Sequence, residues 1–373
     1  MSAPLLSISR RTRRTPFSAF NEAQGVKAYT VYNHMLLPTV CRSVEEDYWH
    51  LKEHVQIWDV ACERQVEIAG PDAARLVQWM TPRDLRKVAV QQCVYAPLVD
   101  ERGGIVNDPV IIRLDQERYW ISIADSDVLL WAKGLAYGAG LDAAVREPEV
   151  WPLAVQGPKS DDLLGRVLGD EIRAIRFFRS AWLRFRDHPL LVARSGWSKQ
   201  GGFEIYVDDR AMGRELVATL WEAGQPLNVR AGCPNLIERI EGGLLSYGND
   251  MTLHNNPLEC GLDKYCDLGG DLDFVGRDAL ENIKARGVSR RIVGLKIAAE
   301  ALPDCVEPWS VIHTGEPIGQ VTSAAISPFL RCGVAIAMLA HGHWRDGHAV
   351  VVEAPDGPRD ATVCRLPIVT RRA

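Results

Sequence analysis

Two acidic residues stand where a carboxylate could do chemistry. Asp108 closes the run Gly103-Gly104-Ile105-Val106-Asn107-Asp108, just ahead of Pro109 and an apolar stretch, and Glu204 follows Gly201-Gly202-Phe203. On an extended strand Glu204 and Tyr206 project to one face, and Phe203 and Ile205 to the other. The first pair is therefore the polar, ligand-facing set, and the glycines before it permit close approach of a ligand. The plainer alternatives are a Glu that faces solvent and an Asp in an ordinary turn after Gly-Gly. Of Asn107 and Asp108, only Asp108 can act as a base. Trp197, Tyr206, Tyr32 and Tyr29 offer ring faces that attract a cation, although any one of them is as readily a core residue. Lys199, or the cluster Arg10, Arg11, Arg13 and Arg14, could hold a carboxylate; Lys199 is equally read as a solvated loop residue, and the arginines as a surface arm.

Those side chains need elements to position them. Ser43 followed by Glu46 has the spacing of a capping box and predicts a helix from Ser43 to about Val55. The run from Ile57 to Gly70 is rich in strand formers and predicts a strand before a helix at Asp72 to Met80. Val94 to Leu114 reads as two strands joined by a turn at Asp100 to Gly104, with Pro109 forcing a bulge or an edge position because it lacks a backbone donor. Tyr119 to Ala124 reads as a strand and Ser126 to Tyr137 as a helix. After Trp151 a similar order recurs: strand at Leu153 to Gln156, helix at Ser160 to Leu168, strands near Trp182 and Leu190 and through Glu204, then a helix from Arg210 to Glu222. This repetition suggests a duplicated α+β unit. Beyond about Gly287, short β runs between Gly, Pro and Asp turns predict a small antiparallel barrel or sandwich, with the boundary near Ala285 to Arg290.

With 373 residues and 47% hydrophobic composition, two or three packed units are expected. A formal net charge of -5 lacks the basic field that nucleic acid requires. No apolar run of about 18 residues is present, and no apolar stretch follows the arginine cluster, so neither a membrane span nor a secretory signal is expected. The nine cysteines are odd in number and scattered without a C-x-x-C. They predict no disulfide framework and no metal site, and a reducing, cytoplasmic setting.

Read in order, several segments together resemble the aminomethyltransferase (glycine-cleavage T-protein) family over nearly the whole chain. They are T-P-F (Thr15 to Phe17), W-D-V (Trp58 to Val60), G-G-I-V-N-D (Gly103 to Asp108), G-G-F-E-I (Gly201 to Ile205) and R-I-E-G-G-L (Arg239 to Leu244). Further on come P-L-E-C-G-L (Pro257 to Leu262), F-V-G-R-D-A-L (Phe274 to Leu280), G-Q-V-T-S near Gly319 and Ser327-Pro328. The resemblance implies an α+β, three-lobed fold around a tetrahydrofolate channel. Residues 1–285 would form the folate-binding region of two interleaved lobes, and 286–373 a C-terminal antiparallel β-barrel. It also implies that Glu204 is the folate-binding glutamate and that Asp108 orients the N5 region or takes its proton. Tyr95 and Arg239 fall in family segments near the folate, Arg239 being equally a candidate structural ion-pair member. Ser122, on a strand expected to border the channel, could hydrogen-bond the methyl donor.

Within the family, Tyr29 to Pro38 and Ser43 to Val60 look like the branch that demethylates dimethylsulfoniopropionate. The implied reaction moves a sulfonium methyl to N5 of tetrahydrofolate, a cosubstrate, and gives methylmercaptopropionate and 5-methyltetrahydrofolate. Trp197, Tyr206 and Tyr32 would then face the sulfonium. Competing readings are aminomethyl transfer from a lipoyl-bound group, demethylation of a betaine or an ether, and a non-catalytic folate-binding protein. The last is marked by K-G-C-Y, which Cys260 to Cys266 does not reproduce. The expected partners are small molecules, with homodimerisation open and no flavin implied.

Overall fold

The computed structural model describes residues 9–370. A short helix, α1 (Ser18–Ala23), leads into the hairpin of β1 (Ala28–Tyr32) and β2 (Met35–Val40). Asn33 and His34 turn it with φ of 47° and 64°, the two-residue geometry whose twist matches the flanking strands. Helix α2 (Val44–Glu53) begins as expected, with the Ser43 hydroxyl accepting the Glu46 amide at 3.1 Å. Ser43→Ala should cost about 1 kcal/mol of stability, measured as a lowered urea midpoint at unchanged slope.

The stretch expected to hold one strand carries two, β3 (Val55–Asp59) and β4 (Gln65–Ala69). Backbone bonds from Glu63 to Val60 and from Arg64 to Cys62 close a turn between them, and the two strands enter different sheets. Helix α3 (Ala73–Trp79) follows. The next two predicted strands are four: β5 (Gln92–Tyr95), β6 (Leu98–Val99), β7 (Ile105–Asn107) and β8 (Val110–Asp115). Pro97 and Pro109 each interrupt a run because neither can donate to a ladder. As a result β5 pairs with β8, while β6 and β7 form their own hairpin, and Asp108 falls in the break between β7 and β8.

Strand β9 (Arg118–Ser122), helix α4 (Val128–Gly138) and β10 (Ala144–Arg146) complete an antiparallel sheet in the order β10-β4-β9-β8-β5. The chain then repeats this path through β11 (Trp151–Gln156), α5 (Ser160–Leu168), β12 (Ser180–Phe185), β13 (His188–Ala193), β14 (Gly202–Val207), α6 (Arg210–Gly224) and β15 (Val229–Gly232). The second sheet runs β12-β13-β14-β11-β3-β15. Counting five strands along each repeat, both sheets have the spatial order fifth, first, fourth, third, second; the second sheet admits β3 between its fifth and first strands. The duplication inferred from element order is thus present as shared topology.

Helices α7 (Leu236–Gly242) and α8 (Arg277–Arg286) precede the C-terminal strands. These are β16 (Arg290–Ile297), β17 (Trp309–His313), β18 (Glu316–Ser327), β19 (Cys332–Ala340), β20 (Ala349–Ala354) and β21 (Gly357–Cys364). They close into a barrel, β16-β19-β18-β17-β20-β21. The closing strand β21 breaks its few apolar residues with Gly357, Pro358, Arg359, Asp360 and Thr362, and has no apolar run to announce it.

Two compact units result. One holds the described residues to Arg64, Glu149–Gly196 and Gln200–Pro234; the other holds Gln65–Pro148, Trp197–Lys199 and the described residues from Asn235 onward. In the first, Phe203, Ile205 and Val207 of β14 pack with Leu163 and Leu164 of α5 and Leu216 and Leu220 of α6. In the second, one core lies under α3 and α4 and another fills the barrel. Among the described residues no helix is long and apolar enough to cross a membrane, and all nine cysteines are free thiols.

Candidate active site

Asp108 sits where the β7–β8 run breaks, so its side chain is free of any ladder alternation. The Tyr95 hydroxyl, from the end of β5, donates to Asp108 Oδ2 at 2.9 Å. Burial pushes the Asp108 carboxyl up to about 7, Asp250 adds to the rise, and the Tyr95 hydroxyl and the residue's own amide oppose it. The carboxyl is ringed by protein, yet the residue keeps part of its surface in contact with solvent. Asn107 beside it is wholly buried and spent on structure. Its amide donates to Ala124 O at 3.1 Å and Ser126 Oγ at 2.8 Å, and its oxygen accepts the Ala124 amide. Tyr95 itself packs edge-on against Tyr265 at 5.1 Å. Burial and Asp108 hold its hydroxyl well above the usual phenol range, so it stays a donor.

Glu204 is on β14, hydrogen-bonded between β13 and β11, and is only 6% exposed. Its Oε2 accepts from Ser195 Oγ at 2.5 Å and from the Tyr206 hydroxyl at 3.3 Å, which places Glu204 and Tyr206 on one face as alternation requires. Burial raises the Glu204 carboxyl, and those two hydroxyls oppose the rise. Among the described residues Oε1 has no hydrogen-bond partner, although the atom is not sealed from solvent. The preceding glycine answers to the protein itself: a Cβ on Gly202 would fall 2.4 Å from Val155 O and 2.7 Å from the Gln156 amide. Ligand approach is therefore not what requires glycine there.

The other expected residues are distributed as follows. Tyr206 is 2% exposed and acts through its hydroxyl on Glu204. Tyr32 is half-buried against the first unit's core, and Tyr29 is more open. Arg13 binds Asn33 O, and Arg14 pairs with Glu22 at 2.7 Å. In the second unit, Ser122 accepts from Gln65 Nε2 at 2.9 Å. Arg239 is buried on α7, donating to Asp250 at 2.8 Å and Ser323 at 2.6 Å, with Trp197 against its guanidinium at 5.9 Å. Asp250 also accepts from Thr322, Ser323 and the Ser246 amide, so Arg239 ties α7 to the barrel strand β18. Lys199 lays its stem over Gly242. Its amine is lowered by burial and by Lys264, and its amide donates to Glu238 at 3.2 Å.

The GCVT N-terminal domain matches residues 17–269, and the glycine cleavage T-protein C-terminal barrel domain matches residues 290–369. The chain belongs to the glycine-cleavage T-protein family. One member, a dimethylsulfoniopropionate demethylase of Ruegeria pomeroyi, is 55% identical over 95% of this chain and 97% of its own. An aminomethyltransferase of Symbiobacterium thermophilum is 32% identical over 91% and 92%, and one of Synechococcus sp. 31% over 86% and 89%. The crystal structure of the glycine cleavage system aminomethyltransferase T of Bartonella henselae shares the fold, with a TM-score of 0.86 at 24% identity over 97% of this chain and 99% of that one. The α+β aminomethyltransferase fold with its C-terminal antiparallel barrel is therefore the architecture of this T-protein family member.

Several family segments turn out to be structural joints. Thr15 of T-P-F donates to Asp59 of W-D-V at 2.6 Å, and Asn21 donates to the same carboxylate at 3.1 Å. Asp59 is fully buried, and burial raises its carboxyl to about 6. Each segment is visible in the chain by itself but their pairing is not, because 44 residues separate the partners. In G-G-I-V-N-D, a Cβ on Gly104 would lie 2.3 Å from Leu253 O, so that glycine lets two backbones pass.

Proposed function

We propose that this chain demethylates dimethylsulfoniopropionate, transferring one sulfonium methyl to N5 of tetrahydrofolate and releasing methylmercaptopropionate. The observation that carries the reading is the 55% identity to a demethylase over almost the full length of both chains, against 31% and 32% for aminomethyltransferases. Tetrahydrofolate, when bound, supplies N5 as the nucleophile: the N5–methyl bond forms as the S–methyl bond breaks and the sulfide leaves neutral.

A neutral leaving group needs no acid, so the proton to be managed is the one on N5. Asp108 fits that duty, because a carboxyl raised to about 7 is a base matched to neutral pH. Glu204 fits a pterin edge, since a buried carboxylate with one oxygen held by two hydroxyls and the other without a partner can still accept from amide and amino donors. Trp197 and Tyr32 would offer ring surface to the sulfonium, Tyr206 would steady Glu204, Ser122 would hydrogen-bond the donor, and Lys199 would meet its carboxylate. In this proposal Tyr95 acts through Asp108 and Arg239 holds the wall behind Trp197. A cytoplasmic setting rests on the nine free thiols; a homodimer is the working proposal for assembly, decided by light scattering.

The direct test is anaerobic incubation with tetrahydrofolate and dimethylsulfoniopropionate, with both products quantified by mass spectrometry. Equimolar 5-methyltetrahydrofolate and methylmercaptopropionate are expected; folate binding without either product would overturn the reading in favour of another donor. Tyr95→Phe removes the hydrogen bond that favours the Asp108 carboxylate. The acid limb of the kcat–pH profile should then move up by about one to two units, since a hydrogen bond to a charged group is worth ~1.5–3 kcal/mol. An unmoved limb would separate Tyr95 from the titrating group.

A further inference from the structure

The barrel carries a histidine cluster that the methyl-transfer chemistry does not use. His313 ends β17, and His343 and His348 lie in the connection from β19 to β20. One ring nitrogen from each falls within 4.8 Å of the others. His343 Nδ1 and His348 Nε2 are 3.2 Å apart, and the His313 ring centroid is 4.4 Å from that of His348 and 5.3 Å from that of His343. We propose that His313, His343 and His348 form a zinc site on the barrel, with water in the fourth position.

Three observations carry this. Nitrogens bound tetrahedrally at ~2.0–2.1 Å are roughly 3.3 Å apart, so one pair already has the spacing of ligands, and a nitrogen of the third imidazole lies within 4.8 Å of both. The His313 Nδ1 lies 3.2 Å from Ala349 O; donating there leaves Nε2 with its lone pair free, the arrangement in which a carbonyl orients a metal-binding imidazole. Finally, among the described residues no carboxylate pairs with any of the three, so they are not assembled as cations in an ion-pair network. The three are half-buried, which leaves a coordination position open to water. The buried group Cys41, Asp47 and Cys233 is less suited: Asp47 is spent on the amides of Cys41 and Arg42, and the Cys233 thiol is pushed well up by its contact with Cys41 and by burial. Zinc would clip the end of β17 to the β19–β20 connection, whatever the methyl donor proves to be.

The test is calorimetric titration of zinc into the metal-stripped full chain. One ion per chain is expected, with a zinc-dependent rise in the unfolding midpoint. Losing an outer partner of a metal ligand costs about 10–100-fold in affinity, so losing two ligands in His313→Asn/His348→Asn should weaken binding by at least about 100-fold and abolish the midpoint shift. Cobalt added to the unaltered chain should give the intense visible absorption of a tetrahedral site, a readout that does not depend on the variant folding. Absence of stoichiometric binding, unchanged affinity in the double variant, or a weak octahedral cobalt spectrum would each overturn the proposal.

Discussion

Asp108→Asn should lower kcat by about 10²- to 10⁴-fold, the range that a positioned base contributes, and should at the same time raise the unfolding midpoint at pH 8. The two effects share a cause. Burial holds the folded carboxyl near 7, above the ~3.9 of an exposed Asp. A carboxyl raised on folding favours the folded state while it is protonated, so its stabilisation is complete below about pH 4 and is lost as pH climbs through 7. At pH 8 the wild-type chain bears the cost of an ionised, poorly solvated group, and the Asn variant does not; the gain should be roughly 2 kcal/mol after discounting for the solvent Asp108 still meets. The wild-type kcat should rise through about pH 7 as the base form appears, and the variant should lack that limb. A variant with unchanged kcat, or one that loses stability and activity together, would make Asp108 structural.

Glu204→Gln should weaken tetrahydrofolate binding by about 10- to 100-fold, because a hydrogen bond to a charged acceptor is worth ~1.5–3 kcal/mol. The amide can still accept from Ser195 and Tyr206, so the local frame should survive. Burial raises the Glu204 carboxyl, which means that the ionised group opposes folding at neutral pH and its removal should leave the unfolding midpoint equal or higher. Titration of folate against intrinsic fluorescence, with thermal unfolding alongside, separates the cases. An unchanged folate Kd would sink the pterin assignment, and a lowered midpoint with unchanged Kd would make Glu204 a strut between β14 and Ser195.

The sequence by itself determined whatever depends on neighbours in the chain. The cap at Ser43 is a contact between residues three apart, and the helices and most barrel strands carry their own periodicity. Pro109 was expected to disturb its strand, and its missing donor does so beside Asp108. The alternation that joins Glu204 to Tyr206 is likewise local. The ordered family segments were legible for the same reason, each being a short contiguous run.

Tertiary structure decided the rest, because a buried carboxylate takes its properties from partners brought in from elsewhere. Asp108 becomes a base matched to neutral pH only through burial, Tyr95 and Asp250. Asp59 needs Thr15 and Asn21, and Arg239 needs Asp250 and Ser323, the latter 84 residues on. Strand β3 looks like part of the first repeat but completes the second sheet, a choice made by pairing with β11 and β15. His313 meets His343 and His348 only once β17 and β20 pair in the barrel. Periodicity records which face of an element is buried; what that face is buried against is set by long-range packing.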